Sequence, residues 1–122
     1  MKAGYFFDTY AIVEIIRKNR NYQPFFDEEI VTSILNIGEL YYLLLREKGA
    51  QVAEEWHQKL ANLAHGVDAG LVIAAMNFKF ENRKRNLSFV DCIGYVTAMK
   101  NNMTFLTGDI EFRELPNVTF VK

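Results

Sequence analysis

Residues 103–109, Met-Thr-Phe-Leu-Thr-Gly-Asp, contain a short, mainly apolar run that leads into a polar turn ending in a carboxylate. The run predicts a buried strand over residues 103–106, followed by a turn over residues 107–109. Residues 3–8, Ala-Gly-Tyr-Phe-Phe-Asp, repeat this arrangement near the start of the chain. In parallel sheets, ligands bind beyond the carboxyl ends of the strands, where the strand order reverses. If the two strands are neighbours at that point, Asp8 and Asp109 lie in one cleft.

Helical and strand patterns alternate along the rest of the chain. Apolar residues recur at helical spacing over residues 10–19, 34–48, 50–64, 69–80 and 88–100, with Asp68 as the cap of the fourth helix. Residues 29–33 and 118–121 read as further strands, residues 65–67 as a break, residues 81–86 as a loop and residues 110–114 as one helical turn. This alternation predicts an α/β fold around a parallel sheet.

Composition limits the kind of protein. The chain has 122 residues, of which 50% are hydrophobic, so we interpret residues 1–122 as a single domain. Cys92 is the only cysteine, and an unpaired thiol fits a reducing compartment. No apolar run approaches the roughly 20 residues of a membrane helix, and the N-terminus lacks a signal-peptide pattern. These features predict a cytoplasmic protein without a membrane segment.

Four acids, Asp8, Glu39, Asp91 and Asp109, are candidates for a functional site. Three of them also have a local explanation. Asp8 and Asp109 each precede a predicted helical segment, and Ser88-x-x-Asp91 has the form of a capping box. Each of these three carboxylates can therefore be a helix cap rather than a functional group.

Glu39 lies inside a predicted helix and has no capping explanation. Its helical neighbours Leu35, Leu43 and Tyr42 are apolar or aromatic, and no lysine or arginine lies three or four residues away. Burial of an unpaired charge is costly, and a metal ion would provide the missing partner. The alternative is that Glu39 lies at the edge of the apolar stripe and reaches water.

Together, Asp8, Glu39, Asp91 and Asp109 indicate a metal site. Carboxylates that share a cleft raise each other's pKa unless a cation lies among them. Carboxylate oxygens are hard ligands that select Mg²⁺ or Mn²⁺. Such ions activate water and stabilise charge on a scissile phosphate, so no serine, cysteine or histidine nucleophile is required.

Four segments in this order make the chain resemble the PIN-domain family over nearly its whole length. They are Phe6-Phe7-Asp8-Thr9, residues 33–40 with Glu39-Leu40, Leu87-Ser88-Phe89-Val90-Asp91 with the helix that follows, and Thr107-Gly108-Asp109-Ile110-Glu111-Phe112. Two positions depart from the usual family pattern. Asn36 stands where many relatives have Thr or Ser, and Val90-Asp91-Cys92 replaces the small residues that more usually surround the third acid.

The resemblance implies a three-layer α/β/α fold with about five parallel strands and divalent-metal-dependent cleavage of RNA. It implies that Asp8, Glu39, Asp91 and Asp109 are both the metal ligands and the catalytic residues. Thr107 matches a hydroxyl residue that supports the site, and Glu111 matches an additional acid of some members. Compact members of this kind are commonly VapC-type toxins, which form homodimers and are inhibited by a small antitoxin protein.

Any contact with nucleic acid is expected to be local, because the formal net charge is only −1. Arg83, Lys84 and Arg85 precede the helix that bears Asp91 and are candidates for binding RNA phosphates. A solvated loop is the alternative interpretation of this run.

Two other functions compete with a nuclease. The first is a PIN-like module that binds RNA or protein without cutting. The second is another α/β phosphate enzyme, such as a phosphatase or a receiver domain. A phosphatase of the aspartate-nucleophile type has a second Asp two residues after the first, where this chain has Tyr10. A receiver has a lysine after a late strand, where this chain has residues 107–109, and no Gly-rich nucleotide loop is found.

Overall fold

The computed structural model describes residues 3–122. The α-helices are α1 (Thr9–Ile16), α2 (Ile34–Lys48), α3 (Ala50–Leu60), α4 (Ala69–Glu81) and α5 (Phe89–Lys100). The strands are β1 (Tyr5–Phe7), β2 (Thr32–Ser33), β3 (Ala64–His65), β4 (Thr104–Thr107) and β5 (Val118–Phe120). Short 3-10 helices cover Arg20–Phe25, Ala61–Leu63 and Ile110–Phe112. No helix in this described part has the length and apolar character needed to cross a membrane.

The helix predictions are accurate where a local signal marks the helix end. Helix α2 has the predicted bounds, with Ser33 as its cap and Gly49 after its last residue. Helix α1 ends earlier than predicted, because Lys18 adopts a positive φ of 59° that no α-helix continues. Helix α3 also ends early, and residues 61–65 form a 3-10 turn and strand β3 instead.

All of the observed strand pairings are parallel. Strand β4 lies between β1 and β5, and β2 pairs with β3 in a separate two-stranded sheet. The prediction of a single sheet of about five strands was therefore wrong in detail, because three strands form the main sheet and two form the small one. The pair is short because Ser33 ends β2 and at once caps α2. A bridge between Phe6 and Val31 joins the two sheets edge to edge.

The neighbouring positions of β1 and β4 fulfil the condition on which the predicted site depends. Phe7 is in register with Leu106, so Asp8 and the turn after β4 emerge at the same edge of the sheet. The Phe7 amide also donates to the Val31 carbonyl oxygen at 2.8 Å. Across the two sheets the spatial order of the strands is therefore β3, β2, β1, β4, β5. The direction in which the chain adds strands reverses between β1 and β4.

Two apolar clusters lie on opposite faces of the main sheet, which gives the three layers. Phe6 and Phe105 are fully buried on the face covered by α4 and α5, with their rings stacked at 5.8 Å. Phe7 and Leu106 are fully buried on the face covered by α1, α2 and α3. Consecutive strand residues point to opposite faces, so each strand supplies both clusters.

Two helical glycines are expected to respond to alanine in opposite ways. A Cβ on Gly94 would lie 3.1 Å from a Phe6 ring carbon and 3.3 Å from Asn36 Oδ1, whereas a Cβ on Gly38 would meet nothing within 4 Å. We expect Gly94→Ala to lower the free energy of unfolding by about 1–2 kcal/mol through overpacking. Gly38→Ala should raise it by about 0.5–1 kcal/mol through helix propensity. Urea unfolding of both variants checks this, and equal stability of the two would contradict the packing around Gly94.

Candidate metal centre

A cleft of about 300 Å³ opens at the carboxyl edge of β1 and β4. All four predicted acids line it, although they come from four different segments of the chain. The residues around the cleft are Asp8, Thr9, Tyr10, Val13, Glu14, Arg17, Glu39, Leu43, Glu47, Asp91 and Asp109.

Asp8 is the most buried of the four acids, with 3% of its surface exposed. It precedes α1 but its side chain makes no cap hydrogen bond, so the capping interpretation is wrong for this residue. Instead, its Oδ2 accepts a hydrogen bond of 2.7 Å from the Thr107 hydroxyl. Burial raises the pKa of Asp8 to about 7; the Thr107 bond opposes this shift, and the charges of Asp91 and Glu39 add to it.

Asp91 does form the capping box that its sequence pattern predicts. The Ser88 amide donates to Asp91 Oδ2 at 2.8 Å, and the Asp91 amide donates to the Ser88 hydroxyl oxygen at 3.1 Å. Burial raises the pKa of Asp91, the Ser88 bond lowers it, and the Asp109 and Glu39 charges raise it. A carboxylate offers about four lone-pair sites on its two oxygens. The cap at Asp91 therefore remains compatible with ligation of a metal.

Asp109 also has a local role. Its Oδ1 accepts a 3.0 Å hydrogen bond from the Glu111 amide and so caps the 3-10 turn. Its own amide donates to the Thr107 hydroxyl oxygen at 3.1 Å. The buried Thr107 hydroxyl thus bonds to both Asp8 and Asp109, and it orients the two strand-end acids relative to each other.

Glu39 is half-buried on α2 and faces the same cleft. Among residues 3–122, the carboxylates in ion pairs are those of Glu14, Glu47 and Glu54, and none of the four predicted acids has such a partner. Four hard oxygen donors without a basic partner are the donor set that suits Mg²⁺ or Mn²⁺. Their chemistry therefore fits the ion that the sequence predicts.

The four carboxylates are the right kind of donor, but their side chains are not yet arranged around one point. Within the described residues, no three acidic, histidine or cysteine side chains are already arranged to hold a metal ion. The reason is visible in three of the acids, whose oxygens are turned toward Thr107, Ser88 and the Glu111 amide.

The remaining predicted residues lie outside the lining of the cleft. Glu111 Oε1 accepts a 3.0 Å hydrogen bond from the Asn86 amide, so this acid holds the loop before α5. Arg83 packs its guanidinium 4.4 Å from the Phe80 ring centroid and donates to the Phe80 carbonyl oxygen. Arg85 donates to the Glu111 carbonyl oxygen at 3.2 Å, and Lys84 lines the same separate pocket as both arginines.

A buried polar network beneath the site was not predicted from the sequence. The Ser33 hydroxyl donates to Asn36 Oδ1 at 2.6 Å, and Asn36 Nδ2 donates to the Thr9 hydroxyl oxygen at 3.0 Å. These bonds tie the start of α2 to the start of α1, directly after Asp8. The Ser33-x-x-Asn36 spacing signals the local half of this network, but the contact with Thr9 spans 27 residues.

A parallel α/β sheet with four acids gathered at its switch point defines an α/β protein with an acidic cleft. The sequence model of the PIN domain matches residues 5–118. The chain therefore belongs to the PIN-domain family. A search of curated proteins found no match.

Solved structures that share this fold include a toxin–antitoxin complex and a toxin. A toxin–antitoxin complex from Klebsiella pneumoniae is 14% identical with a TM-score of 0.76, covering 94% of this chain and 95% of that one. VapC20 from Mycobacterium tuberculosis, described as a sarcin-ricin loop cleaving toxin, is 19% identical with a TM-score of 0.74. The match covers 93% of this chain and 98% of that one. DNA-bound VapBC from Salmonella typhimurium is 18% identical with a TM-score of 0.73, and the match covers 98% of this chain and 97% of that one. At these identities the likeness establishes the fold.

Proposed function

We propose that this protein is a divalent-metal-dependent endoribonuclease in which Asp8, Glu39, Asp91 and Asp109 hold Mg²⁺ or Mn²⁺. The observation that carries the proposal is the convergence of these four carboxylates on one cleft without a basic partner. Membership of the PIN-domain family supports it, as does the fold shared with an RNA-cleaving toxin.

The chain's own residues prepare the cleft for this chemistry. A bound divalent ion supplies a Lewis acid and lowers the pKa of water. Thr107 orients Asp8 and Asp109, and the Ser88 bonds hold Asp91 at the start of α5. A cation nearby favours the charged form of a carboxylate, so metal binding would counteract the raised pKa of Asp8.

The partners proposed for this chain follow from the same comparisons. Solved relatives of the fold are complexes of a toxin with its antitoxin. We propose that this chain is a cytoplasmic single-domain toxin that forms a homodimer and is inhibited by a small antitoxin. Arg83 and Lys84 are exposed in the loop before α5 and Arg85 is partly buried beside them, and we propose that this basic segment binds RNA phosphates.

A PIN-like binding module without nuclease activity is the second candidate. One observation favours it: Asp91 and Asp109 both serve as caps, and no described group is already arranged as a metal ligand set. The two candidates share the cleft and differ in whether a divalent ion in it supports cleavage.

We expect the purified protein to cleave a mixed RNA pool in Mn²⁺ or Mg²⁺, and to lose this activity in EDTA and in Asp91→Asn. Asparagine keeps an oxygen that accepts from the Ser88 amide, so the helix cap should survive while the ligand charge is lost. Gel analysis of the RNA measures cleavage, and a thermal melt checks folding. Asp27→Asn changes an exposed aspartate outside the cleft and should leave cleavage unchanged.

Each outcome distinguishes the candidates. Cleavage that persists in Asp91→Asn would remove Asp91 from the site. A folded wild-type protein that binds RNA but never cuts it, in either metal, would favour the binding module.

A further inference from the structure

The acidic cleft continues past the four carboxylates to a second charged group on α1 and α2. There, Arg17 lies between Glu14 and Glu47, and all three side chains line the same cleft as Asp8. Among the lining residues that the structure describes, Arg17 is the only lysine, arginine or histidine. A polyanion that enters this cleft meets several carboxylates and one guanidinium, which lies beside Glu14 and Glu47.

The ion pairs of Arg17 are long. Arg17 Nη1 lies 3.6 Å from Glu14 Oε1, and Arg17 Nη2 lies 3.4 Å from Glu47 Oε1. Strong guanidinium–carboxylate pairs have N···O distances of about 2.7–2.9 Å. The Arg17 side chain is 55% exposed, and that of Glu47 is 46% exposed. An exposed pair of this kind contributes little to stability, so another anion can replace the Glu47 carboxylate at small cost, whereas the Glu14 side chain is only 14% exposed.

We propose that Arg17 binds a backbone phosphate of the RNA strand that occupies the cleft, and that it exchanges Glu47 for this phosphate when RNA enters. The inference rests on the proposed ribonuclease function and names a residue that contacts the substrate away from the metal ligands. The planar guanidinium has the donor geometry for two phosphate oxygens. It also offsets the repulsion between the strand and the carboxylates Glu14 and Glu47 at this end.

A purely structural role makes a different prediction. If Arg17 only links α1 to α2, then removing either Arg17 or Glu47 breaks the same pair, and neither change affects RNA affinity in folded protein. If Arg17 binds phosphate, the two changes act in opposite directions. Loss of Arg17 removes an attraction, whereas loss of Glu47 frees Arg17 and removes a repulsion.

The test measures RNA binding in protein that also carries Asp91→Asn, so that the RNA stays intact. The probe is a fluorescein-labelled single-stranded RNA of random sequence, followed by anisotropy in Mg²⁺ over a series of KCl concentrations. We expect Arg17→Ala to raise Kd roughly tenfold. The slope of log affinity against log salt should fall by about 0.7. Arg17→Lys should keep most of the slope and part of the affinity, because it keeps the charge but loses the planar donor fork.

Glu47→Gln should lower Kd by roughly two- to fivefold. Arg20→Ala is the matched control, because it removes an exposed arginine that does not line the cleft. It should leave Kd near the parent value. Thermal melts of every variant ensure that only folded protein is compared.

The outcomes separate this inference from the proposed function. An unchanged Kd for Arg17→Ala, or weaker binding in both Arg17→Ala and Glu47→Gln, overturns the role of Arg17 while RNA cleavage by the wild-type chain still supports the nuclease. Weaker binding in Arg17→Ala together with tighter binding in Glu47→Gln supports the inference even if the wild-type chain does not cut RNA. Failure of the parent protein to bind the RNA overturns the role of Arg17, and the cleavage assay on the wild-type chain then decides the proposed function by itself.

Discussion

Replacement of Asp8 by asparagine is expected to raise the free energy of unfolding of the metal-free protein by about 2–4 kcal/mol above neutral pH. The same change should reduce metal-dependent RNA cleavage by at least about a hundredfold, because it removes a proposed ligand from the centre of the cleft. One substitution would thus increase stability and abolish activity.

The stability gain follows from the raised pKa of Asp8. Burial raises this pKa to about 7, whereas an aspartate in an unfolded chain titrates near about 3.9. The folded state therefore binds this proton more tightly than the unfolded state. The free energy of unfolding falls as pH rises through the interval between these two values, and it stays low above the higher one. Asparagine carries no charge, so the free energy of unfolding of the variant does not fall with pH on account of this residue.

The measurement is urea unfolding of wild-type and Asp8→Asn protein in EDTA at several pH values. The stability difference should be small below about pH 4, grow as the pH rises, and level off above about pH 7. Added Mn²⁺ should reduce the difference, because it binds and stabilises the wild type alone. A difference that does not change with pH would contradict a buried, raised-pKa carboxylate at this position.

Gly108→Ala is expected to lower the free energy of unfolding by about 2–4 kcal/mol and to impair the site. Gly108 is not among the positive-φ residues of the described chain, so its backbone conformation suits alanine and the effect is steric. A Cβ there would lie far inside van der Waals contact of the Val121 carbonyl oxygen and the Tyr10 ring. The same Val121 oxygen accepts from the Tyr22 hydroxyl at 2.5 Å, which resists any shift.

Gly66→Ala is the control for this prediction. Gly66 lies in a loop, and a Cβ on it would meet nothing within 4 Å. Its stability should stay within about 0.5 kcal/mol of the wild type. Urea unfolding of the two variants compares them directly. A Gly108→Ala protein as stable as Gly66→Ala would mean that β5 and Tyr10 do not close over the turn as the structure has them.

The predictions that succeeded depend on signals close together in the chain. Helix α2 begins after Ser33, whose hydroxyl accepts from the Asn36 amide, and it stops before Gly49. Asp68 caps α4 through the Leu71 amide, and Ser88 and Asp91 form the predicted box. Each of these signals spans about three residues, so residue identity and spacing are sufficient to find it.

The predictions that failed depend on contacts between distant segments. Strand β3 has two residues and exists only through its pairing with β2, so no periodicity could signal it. The division of the strands into two sheets also depends on pairing between distant segments, which the sequence does not signal. Glu111, which the family resemblance gives as a supporting residue, bonds to the Asn86 amide 25 residues away, and the sequence alone does not signal this contact. Arg17, directly after α1, carried no sequence signal for a role in the site, and only the cleft reveals its neighbours.

The sequence by itself determined the helix boundaries at capped ends, the parallel α/β class, and the identity of the four acids. These are properties of local spacing and of the order of strands and helices along the chain. Only the tertiary structure decided that β1 and β4 are neighbours, that Thr107 bonds to both Asp8 and Asp109, and that Arg17 faces the same cleft. The physical reason is that burial, hydrogen bonding and charge repulsion in the cleft depend on distances between segments up to 99 residues apart.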